Sequence, residues 1–112
     1  MGESKREPAY IALSRNAMDK LYGLSSSEMK MLCCLMKWGA NSREYGGVVC
    51  ELTPRKKKKM LAFAGWEKVH TIDTMLQRLL KKGVITRVDV GMYLLDPDVF
   101  MFRGGYPQKE GI

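Results

Sequence analysis

The sequence predicts a mostly α-helical domain closed by a small β-hairpin (α+β), and three observations predict it. Two helix-forming segments follow one another across a single glycine turn at Gly65. Two short strand-like runs, VITRV and MYLL, come directly after them with a tight turn between. The length of 112 residues allows one modest core and therefore one domain.

Residues 1–9 are polar and expected to be a flexible terminus, 10–103 form the domain, and 104–112 dissolve into Gly and Pro as a second flexible terminus. Segment 10–24 is weakly helical, with Ile11, Leu13, Met18, Leu21 and Tyr22 as its apolar positions and Gly23 as its end. Ser25 and Glu28, three residues apart, spell a capping box. The helix they start runs to Trp38, with Met29, Leu32, Cys33 and Met36 at 3–4 spacing on one face. GANSREYGG (39–47) is rich in turn formers and is expected to be a loop, and 48–52 a short strand.

Thr53 and Pro54 are an N-cap followed by proline at the first helical position, and Gly65 closes that helix after Ala64. A longer helix is expected over 67–82, stopped by Gly83, with Val69, Ile72, Leu76 and Leu79 as its buried stripe. Strands at 84–88 and 92–95 are joined by Asp89-Val90-Gly91, and Asp96-Pro97 ends the second. Phe100 and Phe102 are expected at the core edge. Helix, short strand, helix, tight turn, helix and hairpin in this order predict a winged helix-turn-helix.

Composition removes several classes of function. No apolar run approaches the ~18–20 residues of a membrane span. The first ten residues, MGESKREPAY, contain neither a secretory apolar segment nor a myristoylation pattern, so a cytoplasmic location and no membrane partner are expected. Cys33, Cys34 and Cys50 lack C-x-x-C spacing, and with a single His they are expected to be reduced, small apolar residues and not metal ligands. There is no G-x-x-x-x-G-K-[ST] loop and no credible carboxylate pair, since Asp96-Pro97-Asp98 is a turn. Neither an enzyme nor a cofactor is expected.

Charge is where the sequence speaks loudest. Between Thr53 and Val88 stand ten cations against Glu67 and Asp73, a net of +8, while the whole chain carries +7. The positive excess therefore sits on about a third of the chain, the footprint of a polyanion binder. Arg55, Lys56, Lys57, Lys58 and Lys59 crowd the start of a helix, where each first-turn cation costs roughly 0.3–1 kcal/mol. A phosphate backbone against that end converts the cost into attraction. Helical projection turns Arg55, Lys58 and Lys59 away from Met60, Leu61 and Ala64, while the stem of Lys57 must cover apolar surface.

The next helix leaves Glu67, His70, Thr71, Thr74, Gln77, Arg78 and Lys81 opposite its apolar stripe. Thr71 and Thr74 can bond bases or phosphates and touch thymine methyls; Gln77 can pair with adenine, and Arg78 with guanine or phosphate. The expected DNA-binding set is Arg55, Lys56, Lys58, Lys59, Lys68, His70, Thr71, Thr74, Gln77, Arg78 and, beside the wing, Arg87. His70 is expected as a surface group near DNA, with no Asp or Ser at catalytic spacing. Trp66 is expected to plug the core. With only Phe63 and Trp66 as aromatics in 53–88, duplex is favoured over single strands.

Three stretches, LYGLSSSEMKMLCCLMKW, VCELTPRKKKKMLAFAG and IDTMLQRLLKKGVITRVDVGMYLLDPDVFMFRGG, resemble the RepL-type plasmid replication proteins of Gram-positive bacteria. The resemblance covers most of the chain from Leu21 onward and contains no enzymatic motif. It implies a winged helix-turn-helix that binds double-stranded plasmid DNA in replication initiation or its control, with host replication proteins as further partners. The turn GWEKVHTI departs from the family's shorter pattern, and Asp96 stands where Asn is usual before Pro97. The alternatives are a transcriptional repressor on the same fold, or a protein-interaction winged helix whose basic patch meets an acidic partner. The apolar segments 10–24 and 99–106 are the ones available to a homodimer.

Overall fold

Residues 10–103 are described by a computed structural model; the termini expected to be flexible, 1–9 and 104–112, lie outside the described residues. In chain order the elements are β1 (Tyr10–Leu13), α1 (Ala17–Tyr22), α2 (Ser26–Trp38), β2 (Ala40–Ser42), β3 (Gly47–Glu51), α3 (Pro54–Ala64), α4 (Val69–Lys81), β4 (Ile85–Asp89), β5 (Met92–Leu95) and β6 (Phe100–Arg103). The four helices pack with a four-stranded antiparallel sheet of order β2-β3-β5-β4, and β1 pairs with β6 in a separate two-stranded sheet. The result is an α+β domain. Among the described residues no helix is long and apolar enough to cross a membrane.

The caps read from sequence are in place. Ser25 Oγ accepts from the Glu28 N–H at 3.1 Å and Glu28 Oε1 accepts from the Ser25 N–H at 2.8 Å, satisfying two donors that a helix start otherwise orphans. Thr53 Oγ1 accepts from the Lys56 N–H at 3.1 Å, and Gly65 closes α3 in the left-handed region at φ 76°. The helix expected over 67–82 starts at Val69 and ends at Lys81. Its N-cap position holds Lys68, which has no side-chain acceptor to offer, so nothing draws the helix back to Glu67.

Several expectations are corrected. Segment 10–13 is a strand and not the start of a helix: β1 pairs along its length with β6, Ile11 opposite Phe102 and Leu13 opposite Phe100. GANSREYGG is not wholly loop. Ala40 pairs with Val49 and Asn41 with Val48, so β2 and β3 form a hairpin turned at Gly46, φ 73°. The buried face of α2 consists of Met31, Leu32, Cys34 and Leu35, whereas Met29, Cys33 and Met36 are only half-buried. With α2 apolar almost all round from Met31 to Met36, local periodicity does not select a face; packing against α3, α4 and β3 does. On α4 the buried set is Ile72, Met75, Leu76 and Leu79, and Val69 in the first turn is exposed.

Those faces converge with Val48, Met60, Val84, Leu95, Val99 and Phe100 in one core. Each such side chain contributes on the order of 1.5–3 kcal/mol through burial. Two lysines then tie the ends of the helices together. Lys20 Nζ reaches Asp96 Oδ2 at 2.6 Å and the Gly83 carbonyl at 2.9 Å. Lys82 Nζ reaches Glu28 Oε1 at 2.7 Å and the Gly23 carbonyl at 3.0 Å. The α1–α2 junction is thereby fastened at two points to the turn that follows α4, which fixes how α4 sits on the core.

Candidate nucleic-acid interface

Because Met60 and Ala64 face the core, the opposite side of α3 must carry whatever lies about 180° away at 100° per residue. Arg55, Lys58 and Lys59 are there and exposed; Lys56 and Lys57 lie on the flanks, half-buried. Lys57 leans toward α4, where its ammonium is 3.6 Å from Asp73 Oδ1. Asp73 is more than half exposed, so this pair contributes little stability, about 0–1 kcal/mol. It does cancel one cation with a carboxylate of α4.

On α4, His70, Thr74, Gln77 and Lys81 fall within about 60° of one another, diametrically opposite the buried set. His70 Nε2 and Thr74 Oγ1 are 3.4 Å apart, a weak contact along this stripe. Arg78 and half-buried Thr71 lie on one flank of it. Thr74, Gln77, Arg78 and Lys81, with Leu80, line one open groove. Lys68 is exposed at the start of the helix, in the turn that separates α3 from α4.

The hairpin joins this surface through its backbone. The Leu52 N–H donates to the Gly91 carbonyl at 2.7 Å, holding the β4–β5 turn beside the residue that precedes the Thr53 cap. The turn is two residues long, Val90-Gly91, with Gly91 at φ 68°, and a bulge between Arg87 and Asp89 twists the strand leading into it. Arg87 is exposed, and its Nε–H donates to the Asp89 carbonyl at 3.4 Å. The hairpin tip and the first turn of α3 thus share one end of the domain.

Among the described residues, only two of the ten cations of 53–88 have a carboxylate within 4.0 Å: Lys57 with Asp73 and Lys82 with Glu28. Arg55, Lys56, Lys58, Lys59, Lys68, Arg78, Lys81 and Arg87 carry no ion pair with a described residue. Glu28 is buried, and the Lys82 ammonium, with the Ser25 N–H, holds its carboxyl below the ordinary range. Lys82 therefore belongs to the fold. The eight others are distributed over α3, the turn, α4 and the hairpin, with Glu67 the one acid of the segment outside an ion pair.

Trp66 is half-buried against the core, as its place in the turn implies. A different aromatic pair stands on the surface. Trp38, the last residue of α2, meets Phe63 of α3 edge to face, ring centroids 5.6 Å apart and planes at 88°. The Lys37 ammonium lies 5.4 Å from one centroid and 5.3 Å from the other. Sequence inspection of 53–88 misses this cluster because half of it comes from α2. The available signal is the place of Phe63 one helical turn after Lys59, on the solvent side of α3.

Burial raises the thiols of Cys34 and Cys50 to about 11, and all three cysteines are free. Among the described residues no three His, Cys, Asp or Glu side chains gather as a metal site. Compared with protein-family models, curated proteins and solved structures, the chain matches none.

Proposed function

We propose that this chain is a winged helix-turn-helix protein that binds duplex DNA in a sequence-directed manner and acts in initiating or controlling replication of a plasmid- or phage-type replicon. The order α2, β3, α3, α4, β4, β5, with β5 paired between β3 and β4, supports the winged-helix assignment. One observation carries the DNA-binding function: among the described residues, eight cations of α3, the turn after it, α4 and the hairpin have no ion-pair partner. A surface that served only solubility would intersperse the two signs.

In this mechanism α4 enters the major groove, where Thr74, Gln77 and Arg78 meet base edges and His70 and Thr71 lie at the entry. Arg55, Lys56, Lys58, Lys59 and Lys68 take phosphates on one side of the groove, and Arg87 takes phosphate beside the hairpin. The replication role rests on the resemblance of the three quoted stretches to RepL-type proteins. Without nuclease or nucleotide chemistry of its own, the protein would mark an origin and recruit host replication proteins. Selection from a randomised duplex library tests sequence direction. Enrichment of one motif is the expected result; a pool that stays random after repeated rounds overturns the proposal.

A further inference from the structure

We propose that the corner formed by Trp38, Phe63 and Lys37 is a stacking site for an unpaired base of single-stranded DNA. This rests on the nucleic-acid function above and extends it from the duplex to an opened strand beside it. Phe63 is 54% exposed, although a large aromatic on a helix of this charge has every reason to turn inward. Its perpendicular contact with half-buried Trp38 holds the ring in one orientation. A ring braced by a neighbour loses less side-chain entropy than a free one when a base settles on it.

The surroundings select the occupant. Lys56, Lys59 and Phe63 succeed one another along one edge of α3, at spacings of three and four. The Lys37 ammonium lies over both rings, 5.3 Å from the Phe63 centroid and 5.4 Å from that of Trp38, and adds a third cation to this corner. No carboxylate occurs in α3, and the one in α2, Glu28, is at the far end and paired with Lys82. A cationic track that ends in a fixed aromatic face is the combination that binds a single strand: lysines on the phosphates, a ring under a base. In an intact duplex the base faces are already stacked on each other, so the ring finds a partner only where pairing is broken. A protein partner fits the patch poorly. Two aromatic side chains supply about 150–250 Å² each, against roughly 800 Å² per partner for a stable protein interface.

The test compares the full chain with Phe63→Leu and Phe63→Tyr by fluorescence anisotropy, on a thymidine oligomer of about 15 nucleotides, the matching uridine oligomer, and a duplex. Phe63→Leu keeps the apolar bulk and removes the ring. Expected is a 5- to 150-fold weaker grip on the thymidine oligomer, the equivalent of ~1–3 kcal/mol per stacked base, with duplex affinity within about twofold and Phe63→Tyr restoring the loss. Unchanged affinity of Phe63→Leu for the thymidine oligomer overturns the site. So does a uridine oligomer bound as tightly as thymidine, or a wild-type chain that binds duplex but no single strand; that last result leaves the duplex function standing. Binding to neither form removes the duplex function as well.

Discussion

Replacing Arg55, Lys58 and Lys59 together by glutamine pulls apart two quantities that usually move together, affinity and stability. All three side chains are exposed, none has a carboxylate partner among the described residues, and none touches the core. If each neutralises one phosphate, the slope of log K against log salt becomes shallower by about 2.7, at ~0.9 per contact. Relative to ~1 M salt, where counterion release contributes nothing, three contacts at ~0.15 M salt are worth about two powers of ten in affinity, or ~3 kcal/mol.

Stability should change in the opposite direction. Arg55 is the second residue of α3, so its removal relieves roughly 0.3–1 kcal/mol of repulsion from the helix dipole. Losing the like-charge pairs Arg55–Lys58 and Arg55–Lys59, three and four residues apart, relieves about 0.2–0.5 kcal/mol each. The sum is about 1 kcal/mol, which raises the melting temperature of a domain this size by roughly 4 °C. Anisotropy titrations on duplex DNA across salt concentrations, with urea melts alongside, measure both quantities. Unchanged affinity and an unchanged salt slope would refute the reasoning, and so would a clear loss of stability.

Further outcomes follow from individual contacts. Glu28→Ala removes the α2 capping box and the acceptor of Lys82 together, and should cost about 2–3 kcal/mol in urea unfolding. Acid should expose the same carboxyl. Hydrogen bonds from Lys82 to Glu28 and from Lys20 to Asp96 hold both groups below their ordinary 4.5 and 3.8, so their contribution is complete above about pH 4.5 and is lost as pH falls further. Glu28→Gln, less stable at neutral pH, should accordingly show a flatter urea midpoint over that acidic range, and an unchanged slope would contradict the assignment. Gly39→Ala puts a Cβ 2.6 Å from the Leu35 carbonyl oxygen and 2.9 Å from Val48 Cγ1, and should destabilise by about 1–3 kcal/mol. With Cys34 and Cys50 buried and raised to about 11, a thiol reagent at mildly alkaline pH should label half-buried Cys33 first, read by peptide mass. Gln77→Ala should relax preference at a single base pair by about 1–3 kcal/mol while leaving the salt slope intact, as selection and titration together would show.

What could be read from the sequence was whatever is settled within three or four residues. Thr53 with Pro54, Ser25 with Glu28, and Gly65 each complete their own hydrogen bonding locally, and α4 announces its faces because Ile72, Leu76 and Leu79 recur once per turn. The strands that carry no local signal depend on partners far along the chain. Tyr10–Leu13 is extended because Phe100–Arg103 arrives from the other end to pair with it, and a four-residue segment has too little local preference to resist. Ala40–Ser42 has small or polar side chains with no strand pattern of its own, and its backbone is recruited by Val48 and Val49. The orientation of α2 was equally hidden, because every face from Met31 to Met36 is apolar and only its neighbours decide among them.

The same division separates total charge from available charge. A count over residues 53–88 weighs ten cations alike, and that count supports a polyanion partner without saying which side chains would meet it. Lys82 looks from sequence like any cation at a helix C-terminus, yet it is committed to a buried carboxylate on another helix; Lys57 gives its charge to Asp73 across the α3–α4 contact. Both commitments join elements that are separate in sequence, as does the meeting of Trp38 with Phe63. The three-dimensional structure acts on the sequence by subtraction at the two lysines and by addition at the aromatic corner. If the interface is as proposed, neutralising Lys82 should damage folding before it touches DNA affinity, whereas neutralising Lys58 should weaken DNA binding and leave folding intact. Two exchanges of identical chemistry would then give opposite phenotypes, set solely by what each ammonium faces.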